Sequence, residues 1–216
     1  FDNLGVSIKV RVSGTTFLNV NMKETAKDIF WVFVNGAKTK EFTATSGTRT
    51  YSLTTSLSAS ATNTVELYKV SEATLAGTAQ VTLYSITGAS SMTAYAVSAP
   101  TRRLEFLGDS ITAGYGILCG GYGGSTSRIF DSSENYNTWS SRLCRSLGAQ
   151  CHQIAWSGYS LVVNRNGAGP PNTMPYVYRR TVATDVGNND WDFSRFRPHA
   201  LFINLGTNGF CCGHTP

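Results

Sequence analysis

Gly108-Asp109-Ser110-Ile111-Thr112 follows directly on Leu104-Glu105-Phe106-Leu107, and this junction decides how the second half of the chain is read. A short apolar run that stops at a glycine and hands over to a serine reads as a strand, a sharp turn and the start of a helix. The turn lifts the Ser110 hydroxyl off the sheet edge, and the helix start leaves unpaired N–H groups beside it. Such donors hold negative charge that develops on a substrate oxygen, so Ser110 is a candidate nucleophile. Thr112, two places after the serine, disfavours the Gly-x-Ser-x-Gly form of this turn.

Two later segments end apolar runs in the same way: Trp156-Ser157-Gly158, and Asn204-Leu205-Gly206-Thr207-Asn208. Taken singly, Ser110 reads as a helix cap, Gly158 as a turn glycine and Asn208 as a turn asparagine. The Gly-Asp-Ser-Ile-Thr run resembles the first block of the SGNH (GDSL-like) hydrolases, and the two later segments resemble that family's glycine and Gly-x-Asn blocks. The resemblance implies that the Ser110 N–H, the Gly158 N–H and the Asn208 amide form an oxyanion hole around an ester attacked by Ser110. Asp109 reads as structural, bracing the turn through backbone hydrogen bonds.

Composition sets the outer limits. The 216 residues suffice for one large or two ordinary domains. Charged residues make up only 14% and the net charge is +5, with no dense basic run and no aromatic–basic interleaving, so a nucleic-acid footprint is unsupported. No apolar stretch approaches the roughly 20 residues of a membrane span. The chain opens on Phe1 without a leader-like segment, which fits a mature secreted form or a fragment. All five cysteines (Cys119, Cys144, Cys151, Cys211, Cys212) lie in the second half. Cys144 and Cys151 flank a helix end and the next strand, which fits a local disulfide, whereas the adjacent Cys211-Cys212 fit distant partners. Zinc-type Cys-x-x-Cys and His-x-x-x-His spacings are absent, so an oxidising, extracellular compartment is the expectation.

Up to about residue 98 the chain reads as short strands between polar turns. Val6, Ile8, Val10 and Val12 alternate with polar residues, residues 29–34 are apolar on both faces, and Asn35-Gly36 supplies a hairpin turn. Further runs at 50–53, 64–70, 80–86 and 92–97 complete an expected β-sandwich of jelly-roll type. Pro100-Thr101-Arg102-Arg103 marks the join. Beyond it strands alternate with helices, as in a parallel sheet under helices. Trp139, Leu143 and Leu147 stand at four-residue steps on one face of a helix expected over 137–147, which stops at Gly148. Residues 163–175 read as a surface loop. The expected architecture is two-domain: an all-β jelly-roll sandwich over 1–99, then a partial α/β SGNH-type parallel-sheet domain over 100–216.

That order resembles the carbohydrate esterases of family 2. Residues 65–73, Val-Glu-Leu-Tyr-Lys-Val-Ser-Glu-Ala, are similar to the family's Leu-Tyr-Lys-x-Thr-Glu segment, and Trp191-Asp192-Phe193 through Phe196-Arg197-Pro198 precede the asparagine block in the family manner. The resemblance implies a secreted esterase removing acetyl groups from polysaccharide or another acetylated glycan, with no metal or organic cofactor. Tyr115 and Trp156 are candidates either for stacking on sugar rings or for core packing.

Two departures qualify it. The family's base is a histidine in an Asp-x-x-His block, and none of His152, His199 and His214 stands in that context. His152 begins a buried strand, His199 sits at a strand entry remote from Ser110, and His214 is near the asparagine block in sequence, from where it could approach the site. Gly209 occupies a position where the family usually has Asp. A sheet without its last strands also exposes an apolar edge, which more chain or another copy would cover. The alternative function is therefore a catalytically silent relative, serving as a glycan-binding or polymer-forming extracellular subunit.

Overall fold

The computed structural model describes residues 1–73, 79–119, 133–187 and 190–211. Among the described residues nine strands form two sheets. The first is antiparallel and holds β1 (Ser7–Ser13), β2 (Leu18–Val34), β3 (Ala37–Thr54), β4 (Asn63–Lys69), β5 (Val81–Thr87) and β6 (Thr93–Tyr95). The second is parallel, in the order β8-β7-β9, with β7 at Arg103–Gly108, β8 at Gln150–Ala155 and β9 at Ala200–Asn204.

Asn35 and Gly36 both take positive φ, 50° and 87°, as a two-residue turn between right-twisted strands requires. They join two strands far longer than the sequence suggests, of 17 and 18 residues. In β2 the buried positions run Leu18, Val20, Met22 and then Glu24. The carboxyl in the fourth slot hides the alternation from a reading by polarity. A register shift follows between Glu24 and Lys27, where Glu24 Oε1 accepts from the Thr25 and Ala26 amides at 2.8 and 3.1 Å. This bulge lets β2 pair first with β5 and then with β4. Beyond it β2 is buried on both faces: Phe30 and Val32 join the antiparallel core with Val65 and Leu67, while Ile29, Trp31 and Phe33 pack with Tyr68 and Tyr136.

The parallel sheet carries helix α1 (Ser110–Ala113), then α2 (Trp139–Ser146), α3 (Met174–Val177) and α4 (Thr207–Phe210). Leu104, Phe106 and Phe202 on one face pack with Cys144 of α2. Leu107 and Ile154 on the other pack with Met174 and Val177 of α3. Helix α2 forms where expected and stops at Gly148, φ 55°, but a different face is buried. Trp139 and Leu147 remain 37% and 39% exposed, whereas Ser140, Ser141 and Cys144 are buried. The inward face is polar because it meets polar partners: Ser140 donates to Gln153 Oε1, Ser141 to Asn135 Oδ1, and Tyr68 to Asn135 Oδ1. Asn135 Nδ2 donates in turn to the Thr112 carbonyl of α1. The network ties the short α1 to the antiparallel sheet.

Cys144 and Cys151 form a disulfide. Cys211 directs its sulfur to the Asn208 carbonyl at 3.4 Å. Cys212, His214 and the Cys119 side chain lie outside the described residues. Strand β9 is an edge whose Leu201 and Ile203 are exposed. Among the described residues no helix is long and apolar enough to cross a membrane.

A buried charge cluster lies at the bulge. Lys69 and Asp28, both without exposed side-chain surface, pair at 2.8 Å. Glu24 lies beside them, and its carboxyl is raised to about 7 by burial and then by the neighbouring Asp28 charge. In the unfolded chain the same group titrates near 4.5, so the folded state holds this proton more tightly. Its contribution to stability is full below about pH 4.5 and is lost as pH rises through about 7. Raising pH from about 5 to about 8 is expected to lower unfolding free energy by on the order of 2 kcal/mol, and Glu24→Gln to flatten that slope. Denaturant midpoints at both pH values check it.

Candidate active site

The site follows from strand register. Gly108 of β7 pairs with Ala155 of β8 on one side and with Asn204 of β9 on the other, so three parallel strands end level. The next strand after β7 lies on one side of it and β9 on the other. Chain direction therefore diverges here, where open parallel sheets bind ligands. The loops leaving these ends carry Ser110, Gly158 and Asn208. All three line one cleft of about 670 Å³, with Tyr115, Tyr159 and Arg165.

Ser110 is the first residue of α1. Asp109 caps that helix, accepting from the Ile111 amide at 3.0 Å, and Gly114 closes it in the left-handed region at φ 88°. Burial pushes the Asp109 carboxyl up, against the pull of its backbone hydrogen bonds. The bracing role expected of Asp109 matches this geometry. The Ser110 hydroxyl and N–H have no acceptor or donor in the described structure, so both stand available to a ligand in the cleft.

Gly158 sits at φ 85° in a turn closed by the Tyr159 amide on the Trp156 carbonyl at 3.2 Å. A side chain there would be strained, which is why this position needs glycine. Its carbonyl accepts from the Arg165 amide at 2.9 Å, leaving its own N–H without an acceptor among the described residues. Asn208 is buried, and one hydrogen of its carboxamide is donated to the Tyr159 carbonyl at 2.9 Å. That bond fixes the amide plane, and the second hydrogen remains for the cleft. Gly209 has a local reason: a Cβ there would stand 2.5 Å from Ser160 Oγ. The bare backbone lets α4 rest on the 159–163 segment, which holds Asn208 against Tyr159.

The two described histidines are elsewhere. His152 pairs with Glu105 at 2.8 Å and packs against Trp191 and Phe196. Glu105 also accepts from the Tyr178 hydroxyl, so this is a structural cluster below the strand ends. His199 Nδ1 accepts from the Arg103 amide at the opposite end of the sheet. Trp156 is buried in the core beside Tyr159, so of the two stacking candidates only Tyr115 reaches the cleft. Among the described residues no group of three His, Cys, Asp or Glu side chains offers a metal site.

Two contributors to the site are not among the candidates read from sequence. Asn164 is buried, accepts from the Ser160 amide and donates to the Asn172 carbonyl, so the stretch expected to be a surface loop forms a wall of the cleft. Glu72, from just beyond β4, accepts from both the Ser157 amide and the Ser157 hydroxyl. It stands in the 65–73 segment that carries the family resemblance, but the motif alone attaches no role to it.

Residues 104–215 match the family model of the GDSL-like Lipase/Acylhydrolase proteins. The chain belongs to that family. This GDSL-like chain is also 32% identical over 215 residues to Cellulase/esterase CelE of Acetivibrio thermocellus, covering 95% of itself and 24% of that protein. It is 28% identical over 140 residues to an acetylxylan esterase / glucomannan deacetylase of Cellvibrio japonicus, covering 62% of itself and 37% of that relative. Among solved structures it resembles a family two carbohydrate esterase from Clostridium thermocellum in complex with cellohexaose. That match has a TM-score of 0.86 and 29% identity, over 99% of this chain and 62% of the other. A family two esterase from Cellvibrio japonicus, at 23% identity and a TM-score of 0.83, shares the fold. The chain thus spans well under half the length of the two curated relatives.

Gly108 gives a direct test of the local geometry. A Cβ there would lie 2.1 Å from Thr112 Oγ1, and Thr112 is fully buried. Gly108→Ala is expected to push α1 off the strand end and to destabilise by about 2 kcal/mol or more. Thermal unfolding would record the shift.

Proposed function

We propose that this chain carries the nucleophile and the oxyanion donors of a carbohydrate esterase that removes acetyl groups from polysaccharide. The observation that supports it best is the convergence of Ser110, Gly158 and Asn208 on one cleft at three level strand ends. Ser110 Oγ attacks the ester carbonyl carbon and gives up its proton to a base. The carbonyl oxygen becomes an oxyanion, met by the Ser110 N–H, the Gly158 N–H and the free hydrogen of the Asn208 amide. Collapse expels the sugar oxygen, which takes the proton and leaves an acetyl-serine. Water then attacks that ester by the same route and releases acetate. The required base is not among the described residues, so an imidazole from outside them is assigned that step.

A glycan substrate is supported by relatives whose names include acetylxylan esterase and glucomannan deacetylase, and by a structural neighbour solved with cellohexaose. Tyr115 on the rim suits a sugar ring, whose apolar face stacks on aromatics. Residues 1–99 are read as a jelly-roll sandwich and 100–216 as an SGNH-type domain. Phe30 and Val32 sharing one core with Leu18, Val20 and Met22 support a sheet folded onto itself. The Cys144–Cys151 disulfide supports action outside a reducing cytosol.

The test is acetate release from acetylated xylan or glucomannan by the full-length protein. Ser110→Ala is expected to lower kcat by at least ~10³, and Asn208→Ala by ~10²–10³. Activity undiminished in Ser110→Ala would remove the proposal.

A further inference from the structure

Resting on that reading of the cleft, we infer that Glu72, a residue of the antiparallel half, is a positioning residue that sets the direction of the Gly158 oxyanion donor. Glu72 lies three residues past the end of β4 and is buried. Its Oε1 accepts from the Ser157 amide, and its Oε2 accepts from the Ser157 hydroxyl at 2.6 Å. Ser157 is the second residue of the turn 156–159, and Gly158, at φ 85°, is the third. Turns of this shape differ from their commoner counterpart by a half-rotation of the peptide joining those two residues. One orientation points the Gly158 N–H one way; the other puts the Ser157 carbonyl oxygen there instead. A carbonyl facing an oxyanion would repel what the amide attracts. Two hydrogen bonds to one carboxylate fix both the backbone and the side chain of Ser157, so the peptide after it has one orientation to adopt.

The strut is itself rigid. Lys69 Nζ donates to the Ser71 carbonyl at 2.7 Å and pairs with Asp28, and Ser71 donates to the same Asp28 oxygen at 2.7 Å. Val70 bonds back to Ile29, and its carbonyl accepts from the Asn135 amide. Glu72 therefore projects from backbone anchored on both sides. The turn it holds is half-buried at Ser157, Gly158 and Tyr159, and its other backbone bonds, from the Trp156 amide to Gly108 and from the Arg165 amide to the Gly158 carbonyl, do not involve the two polar atoms of the Ser157–Gly158 peptide. This division gives the antiparallel sheet a part in the chemistry that its distance from Ser110 in sequence conceals.

The experiment measures kcat per titrated active site and KM on nitrophenyl acetate, using the full-length protein. The variants are Glu72→Ala, Glu72→Gln, Ser157→Ala and, as the reference for the site itself, Ser110→Ala. A residue that only holds the two sheets together would lower the unfolding temperature and the fraction of active protein, leaving kcat per site unchanged. The expectation here is a loss of ~30–100-fold in kcat for Glu72→Ala with KM within about twofold, since a misdirected donor forfeits transition-state and not ground-state binding. Glu72→Gln, which keeps an acceptor for the Ser157 amide, should recover to within about fivefold of the parent. Ser157→Ala, which removes one of the two bonds, should fall between them. Parental kcat per site in folded Glu72→Ala overturns the inference. If that variant does not fold, parental kcat in Ser157→Ala overturns it. Ser110→Ala retaining activity would instead defeat the reading of the cleft, and this inference with it.

Discussion

The Lys69 ammonium is the constraint around which the rest is arranged. It has no exposed side-chain surface, and an unpaired charge in that position would cost several kcal/mol. Asp28 neutralises it, and the Ser71 carbonyl accepts a hydrogen bond from a second N–H of the ammonium. Satisfying one buried cation thus fixes where β2 lies after its bulge and how the chain leaves β4. The same requirement bears on the carboxyl beside it. Asp28 already supplies the one negative charge that Lys69 balances, so a second carboxylate at Glu24 would be uncompensated, and burial with the Asp28 charge pushes that carboxyl up to about 7. Breaking such a pair by removing one partner typically costs about 3–5 kcal/mol, a large fraction of the roughly 5–15 kcal/mol by which domains are folded.

From that fixed point the chain reaches the parallel sheet by polar contacts. Tyr68 joins the Asn135–Ser141–Gln153 network under α2, and Asp2 accepts from the Ala183 and Thr184 amides. Helix α1 is only four residues long and has little stability of its own. Its Ala113 is wedged with Leu4 and Ala155, and its Thr112 carbonyl is held by Asn135. The nucleophile's position is consequently set by three neighbours outside its own loop.

What the sequence makes legible follows local chemistry. Asn35-Gly36 announces its turn because only a few residues tolerate two positive φ values in succession. The Ser110, Gly158 and Asn208 blocks announce themselves because each follows an apolar strand and must turn sharply at its end. Legibility fails where long-range partners reverse a local rule. Glu24 occupies a core slot where its carboxyl accepts from the Thr25 and Ala26 amides at a bulge that the partner strands create, and apolar alternation over residues 18–27 does not reveal that. Ser140 and Ser141 face inward because Gln153 and Asn135 meet them, so a helix judged by its apolar positions is given the wrong buried face. The 163–175 segment reads as a loop by composition, and it is one up to the start of α3 at Met174. Its function as a cleft wall depends on Asn164 spanning Ser160 and Asn172.

The oxyanion donors illustrate the same dependence at the site. A backbone N–H is a useful donor only if its direction is settled before the ester arrives, because reorganisation during reaction is what preorganisation avoids. Asn208 meets this through its bond to Tyr159, helped by the absence of a side chain at Gly209. Ser110 meets it through Asp109 and the closing glycine of α1. Gly158 has the most freedom of the three by virtue of its residue type, and it receives its support from the farthest part of the chain. The donor with the weakest intrinsic preference is thus the one braced by a buried carboxylate from the other sheet. That pattern gives a physical reason for two dissimilar sheets to be held against each other in one chain.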